Sequence, residues 1–293
     1  MDILPLFCEI DDFCKVFEQV WRKRQLADGK RRRNRPPGLS QAEVMTILVL
    51  YHASGYRNLK AFYLQEIVRR HHLDFRSLTS YNRFVELQQR CVLPLFFYLL
   101  IKRGSCTGVS FIDATSLKVC HNLPIPQHRT FRGTAARDKS STGWYYGFKL
   151  HLAINECGEI LGFYLTAANV DERITADWIT QEVTGKLIGD KGYISSGLFE
   201  KLMTRGLQLI TKLRKNMKNR LLEVEDKMLL RKRALIETVN DQLKNISNIE
   251  HTRHRSLWNF LGNLAAGLIA YTWKEKKPSL NLNSKTTVPA IVI

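Results

Sequence analysis

The chain has 293 residues, 44% of them hydrophobic and 25% charged. It is long enough for one large core or two domains, and too apolar for general disorder. Forty-five Lys and Arg against 27 Asp and Glu leave a formal charge of +18, which points to a polyanionic partner, nucleic acid first and an anionic membrane second. Cys8, Cys14, Cys91, Cys106, Cys120 and Cys157 show neither CxxC nor paired Cys/His spacing, which argues against a zinc ribbon or a disulfide framework and fits thiols in a reducing cytoplasm. The N-terminus is acidic, with no basic stretch leading into an apolar one, so no signal peptide is read. Two apolar stretches, 91–101 and 256–273, read as buried helices: the first is about half the roughly 20 residues of a membrane span, and the second carries Asn259 and Asn263.

Residues 1–104 read as a helical, basic DNA-binding domain. Ser40-Gln-Ala-Glu43 is a capping box, and Val44, Ile47, Leu48 and Tyr51 follow at helical spacing. A second helix is predicted over 59–70, after the Ser54-Gly55 break, and a third after Thr79-Ser80. Ahead of them, Trp21-Arg-Lys-Arg and the run containing Arg31, Arg32 and Arg33, ended by Pro36-Pro37-Gly38, read as a basic loop that grips DNA phosphates.

Near residue 105 the hydrophobic period changes from helical to alternating, and residues 105–275 form the second domain. The strand 109–119 places Asp113 on one face with Val109, Phe111, Thr115, Leu117 and Val119. A carboxylate on that apolar face needs a cation, a hydrogen-bond network or a metal. Further strands are predicted over 146–154, 160–167, 186–188 and 207–213, with helices over 175–183 and 196–204. Three strands joined this closely are antiparallel neighbours, and the order βββ-α-β-α-β is that of an RNase H-like domain: an α/β fold with a mixed five-stranded sheet flanked by helices. Residues 121–144 read as a long basic loop whose Arg129 and Arg132 contact DNA. Helices follow over 221–246 and 256–273, and 276–293 reads as a flexible tail.

Leu187-Ile-Gly-Asp190-Lys191-Gly puts a carboxylate at the end of a short buried strand beside the first one, with glycines allowing close approach. On a wheel of the 221–246 helix at about 100° per residue, Met228, Leu235, Val239, Leu243 and Ile246 form the buried face. Arg233, Glu237 and Lys244 fall together opposite.

Asp113, Asp190 and Glu237 in these positions resemble the DDE triad of bacterial insertion-sequence transposases. The helix is similar to the Y-xx-R-xxx-E-xxxxxx-K signature of that group at Arg233, Glu237 and Lys244, and departs from it at Leu230, where tyrosine is expected. Gly143-Trp-Tyr-Tyr-Gly-Phe-Lys149-Leu-His151, Gly189-Asp-Lys-Gly-Tyr193, Ile210-Thr-Lys-Leu-Arg214 and His251-Thr-Arg-His-Arg-Ser256 bring the likeness closest to insertion-sequence family nine-eight-two, over about residues 40–275. The resemblance implies a cytoplasmic transposase, a homodimer acting on double-stranded DNA at transposon ends and target. It implies two Mg²⁺ ions, replaceable by Mn²⁺, held by Asp113, Asp190 and Glu237, with Lys149, His151, Lys191, Arg233 and Lys244 at the DNA. The two alternatives are a catalytically silent DNA-binding relative and an RNase H-like nuclease that does not join strands.

Overall fold

The structure is a computed structural model that describes residues 1–27, 38–75, 77–120, 125, 128–140, 143–213, 223–250 and 254–280, with the side chains of 25–27 left aside. It begins with α1 (Ile3–Ala27), which contains Trp21 to Arg24, so that part of the expected basic loop is helix. Arg31, Arg32 and Arg33 lie outside the described residues.

The capping box is formed in both directions: Glu43 N donates to Ser40 Oγ at 3.1 Å and Ser40 N donates to Glu43 Oε2 at 2.6 Å. It starts α2 (Gln41–Ala53), in which every residue from Val44 to His52 is buried. A helix apolar on all sides must be enclosed on all sides, and α2 packs mainly against α1 and α10 (Leu257–Thr272). Next come α3 (Leu59–Phe62), running into a π-helical turn, then α4 (Tyr81–Gln88), capped by Ser80, and α5 (Val92–Ile101). Among the described residues, one helical stretch, Tyr81–Ile101, is long and apolar enough to cross a membrane, and half of it is buried in the protein.

The sheet has six strands where five are expected: β1 (Val109–Cys120), β2 (Ala136–Ser140), β3 (Gly143–Asn155), β4 (Ile160–Ala167), β5 (Gly185–Gly189) and β6 (Leu207–Thr211). The additional strand, β2, lies within the expected long loop and pairs antiparallel with the start of β3. It reads Ala-Arg-Asp-Lys-Ser, an edge strand with no apolar alternation to mark it. The order is β2-β3-β1-β5-β6, with β4 also on β3. β1, β3 and β4 are antiparallel neighbours, and β5 and β6 run parallel to β1. This is the connectivity of an RNase H-like sheet.

Alternation sends Ile112, Ala153, Leu187 and Leu209 to one face, covered by α6 (Glu172–Ile179) and α7 (Ser196–Met203). Phe111, Phe148, Leu150, Ile188 and Ile210 go to the other, where α9 (Ala234–Asn245) and α10 pack. That second core runs without a break from Leu6 and Ile10 of α1, through α2 and α10, to Leu235 on α9. Each fully buried aliphatic side chain contributes about 1.5–3 kcal/mol, so the N-terminal helices and the sheet share a large stabilising interior across residue 104.

The predicted helix 221–246 is two helices among the described residues, α8 (Val224–Arg231) and α9, separated at Lys232-Arg233. The break shifts the wheel. Met228 and Ile246, placed on the buried face, are exposed, whereas Leu229 and Leu230 are buried. Leu230 thus packs into the core in the place of the signature tyrosine.

Candidate active site

β1 and β5 pair in parallel up to Phe111 and Ile188. Two residues further on, Asp190 leaves the sheet level with Asp113 on the neighbouring strand. Gly189 permits this exit. A Cβ there would lie 3.1 Å from both Ile112 Cγ2 and the Tyr193 ring, and Tyr193, in the 3₁₀ turn Lys191–Tyr193, is wholly buried under the site.

α9 supplies the next groups. Leu235, Ile236, Val239 and Leu243 bury one side of the helix, which places Asn240 over β1, where its Nδ2 donates to Asp113 Oδ2 at 3.0 Å. Arg233, just before the helix, brings Nη1 to 3.6 Å from Asp113 Oδ1 and forms an ion pair through Nη2 with Glu237 one turn on. One guanidinium therefore joins two of the three expected carboxylates. Burial pushes the Asp113 carboxyl up to about 6; Arg233 opposes the rise, while Glu172 and Glu237 add to it.

Glu172 is a site residue that the sequence reading missed. It opens α6 behind the N-cap Asp171 and looks in sequence like an ordinary first-turn acid. Its Oε2 lies against Gly192, 3.2 Å from where a Cβ would be. Burial raises its pKa; Lys149 opposes the rise, and among the acids Asp190 adds most to it. Asn240 and Tyr193 were missed as well. The Tyr193 hydroxyl is buried without a hydrogen-bond partner, and burial and then the surrounding Glu172, Asp113 and Asp190 keep it protonated.

The expected DNA-contacting cations divide. Arg129 and Arg132 are exposed ahead of β2, and Lys191 is exposed beside Asp190. Lys149 is mostly covered, with Nζ 3.0 Å from Asp138 and 3.8 Å from Glu172, so it neutralises local acids. Lys244 is 3.6 Å from Glu250, and burial lowers its pKa. His151 does not fit a phosphate contact. It has no exposed surface, and its ring nitrogens meet Thr166 Oγ1 at 2.9 Å and Thr175 Oγ1 at 3.0 Å. Burial, followed by the Lys149 charge, pulls its pKa down to about 4, so it is a neutral bridge between sheet and α6.

Hard oxygen donors of this kind suit Mg²⁺, which binds through a few carboxylates, substrate oxygens and water. The fit is supported by Arg233, a positive charge already set between Asp113 and Glu237. Among the described residues, the three acids whose ligand atoms all lie within 4.8 Å of one another are a different set, Glu223, Glu225 and Asp226. Lys186 Nζ fills that set, at 2.7 Å from Glu225 and 2.8 Å from Asp226.

Comparison with known proteins finds the family described as Transposase DDE domain over residues 103–257. No curated protein matches. Among solved structures, the chain is similar to the piggyBac transposase synaptic complex with hairpin DNA, at 11% identity and a TM-score of 0.49, covering 84% of this chain and 68% of that one. It is similar also to the Mos1 strand transfer complex, at 12% identity and a TM-score of 0.24, covering 89% and 87%. Matched by the family over more than half its length, with Asp113, Asp190 and Glu237 inside the matched span, the chain belongs to the DDE-domain transposases.

Proposed function

We propose that Asp113, Asp190 and Glu237 hold two Mg²⁺ ions, or Mn²⁺ in their place, and that the protein cleaves the ends of its own mobile element and joins them to target DNA. The observation that carries this reading is the convergence of β1, the exit of β5 and the start of α9 at Asp113, which is linked to both a neighbouring cation and an orienting amide. When bound, the ions would activate the attacking oxygen and stabilise the leaving 3′-oxygen of the phosphodiester.

The chain's own residues prepare that chemistry. Asp113, central in the sheet, would hold the ions together with Asp190 from the end of β5 and Glu237 from α9. Asn240 fixes the rotation of the Asp113 carboxylate, as an outer-shell donor does for a ligand. Arg233 balances Asp113 and Glu237 and, with cations held by those carboxylates, would be free to pair with a phosphate oxygen. Water attack frees a 3′-hydroxyl, and attack by that hydroxyl on target DNA joins the strands in the same site.

Within the DDE-domain transposases we place the chain with insertion-sequence family nine-eight-two, on its Gly189-Asp-Lys-Gly-Tyr193 and Arg233/Glu237/Lys244 patterns. It acts in the cytoplasm as a homodimer that holds two ends, and its helical residues 1–104 recognise double-stranded DNA. Asp190→Ala is expected to abolish Mg²⁺-dependent nicking of a labelled element end while leaving end binding in gel-shift assays intact. Undiminished nicking by that variant removes Asp190 from the site.

A further inference from the structure

α1 and α5 leave an apolar face uncovered. The two helices run antiparallel: Glu9 of α1 accepts from the Tyr98 hydroxyl at 2.8 Å and from Lys102 Nζ at 2.9 Å, Phe13 meets Tyr98, and Phe17 meets Phe97 with ring centres 5.6 Å apart. Val16 and Val20 on α1, and Leu93, Phe97, Leu100 and Ile101 on α5, are 43–68% exposed. Spacings of three and four residues put each set on one side of its helix. The contact of Phe17 with Phe97 joins the two sides into one surface. Exposed aliphatic residues scattered singly are ordinary, whereas a contiguous patch marks an interaction site. α5 has no charged residue to break it.

The charges along α1 select the partner. Its first half carries Glu9, Asp11 and Asp12, with no Lys or Arg ahead of Lys15, and its last turns carry Arg22, Lys23 and Arg24. Lys102, at the acidic end, is already held by Glu9. Turned end for end, a second α1 presents its basic end to the acidic end of the first, and an isologous two-fold contact matches both ends with one surface. Val16 lies midway in sequence between Glu9 and Lys23, so an axis crossing there sets valine against valine and brings Asp12 within about a helical turn of Lys23 of the partner subunit. An anionic lipid surface would meet the acidic end with like charge.

We propose that this face binds a second copy of the chain, α1 packed antiparallel on α1 and α5 on α5 about a two-fold axis near Val16 and Phe97, as a bundle of four helices. The inference rests on the homodimer of the proposed function and supplies its contact surface, outside the carboxylate site.

The test is the molar mass of the full chain in solution without DNA or metal, by sedimentation velocity at about 10 μM, where contacts of micromolar strength are populated. The parent is expected to run as a dimer. Val16→Glu, Ile101→Glu changes two exposed positions, where substitutions scarcely alter stability. It is expected to unfold at the parent's temperature and to associate about tenfold more weakly or worse, since like charges then face one another in the contact. A parent of single mass, or a folded variant that associates like the parent, overturns the proposal. Should that variant fail to fold, the exposed charges decide: Asp12→Lys and Lys23→Glu each weaken association about threefold, and their combination restores it. A combination no tighter than the single changes overturns the antiparallel contact. A chain ending at Leu280 is expected to remain dimeric; a single mass would show that segment 281–293 holds the copies together, and overturns the helix face. Capture of a single-mass parent by anionic vesicles, lost in Val16→Glu, Ile101→Glu, would give the face to a membrane instead. Mg²⁺-dependent cutting by the parent is followed in parallel. Cutting by a parent whose association the variants leave untouched removes this interface alone, whereas a dimer that dissociates as expected, from a parent that cuts nothing, upholds the interface and removes the catalytic reading.

Discussion

Arg233→Gln removes the positive charge that joins Asp113 to Glu237, and its effect on metal binding can be worked from the geometry. At 3.6 Å from Asp113, the bare attraction is about 4–5 kcal/mol at an effective dielectric near 20. Both side chains retain about a fifth of their exposure, and hydration and ordering reduce the net value to about 1–2 kcal/mol. A divalent ion bound by Asp113 and Glu237 must displace this contact, so the variant is expected to bind Mn²⁺ about tenfold more tightly in the absence of DNA. The assay is a Mn²⁺ titration followed by electron paramagnetic resonance at about pH 8, where Asp113, pushed up to about 6, is ionised. End cleavage falls in the same variant, because the phosphate loses its guanidinium. Unchanged or weaker Mn²⁺ binding in a folded variant refutes the view of Arg233 as a placeholder for the ions.

Asn240→Leu removes the donor to Asp113 Oδ2. Cleavage is expected to drop about 10–100-fold, with the acid limb of its pH profile shifted upward, and an unshifted limb would show that Asn240 only packs. His151, lowered from 6.5 to about 4, binds fewer protons folded than unfolded in that interval. It therefore contributes stability that is present above pH 6.5 and lost as pH falls towards 4, about 3 kcal/mol in all. Chemical unfolding at several pH values should show a shallower acid loss for His151→Gln than for the parent; parallel curves would contradict the buried neutral ring. Lys186→Met strands the buried Asp226 beside Glu225, and the denaturation midpoint should fall by the equivalent of about 3 kcal/mol. A change below about 1 kcal/mol would mean that the three acids find another counter-ion.

The strands around the site were legible because each carries an alternating apolar pattern ending in a conspicuous polar residue. Asp113 stands out on its apolar face, and Leu187-Ile188-Gly189 marks a buried strand, which lies between β1 and β6. Other features left no such mark. β2, Ala-Arg-Asp-Lys-Ser, has no apolar alternation and reads as loop. The break between α8 and α9 falls on Lys232-Arg233, two good helix formers with no glycine or proline between Val224 and Asn245, so a single wheel runs through two helices and buries Met228, which the structure exposes. His151 alternates with buried apolar neighbours, and period alone does not show that Thr166 and Thr175 wait for its two nitrogens. Glu172 reaches the site from α6 only through the fold, although its place in the first turn of the helix that follows β4, behind an N-cap aspartate, is the available hint. The shared core of α2, α5 and α10 joins segments some 200 residues apart, and all-round apolar helices say that they are enclosed without saying by what.

The most direct test of the proposed chemistry is the anomalous scattering of Mn²⁺ in crystals of the protein with end DNA. The account predicts manganese peaks bridged by Asp113, with Asp190 and Glu237 as further ligands and Arg233 turned away towards a phosphate. Manganese bound instead by Glu223, Glu225 and Asp226, with the Arg233 pairs to Asp113 and Glu237 intact, would contradict it.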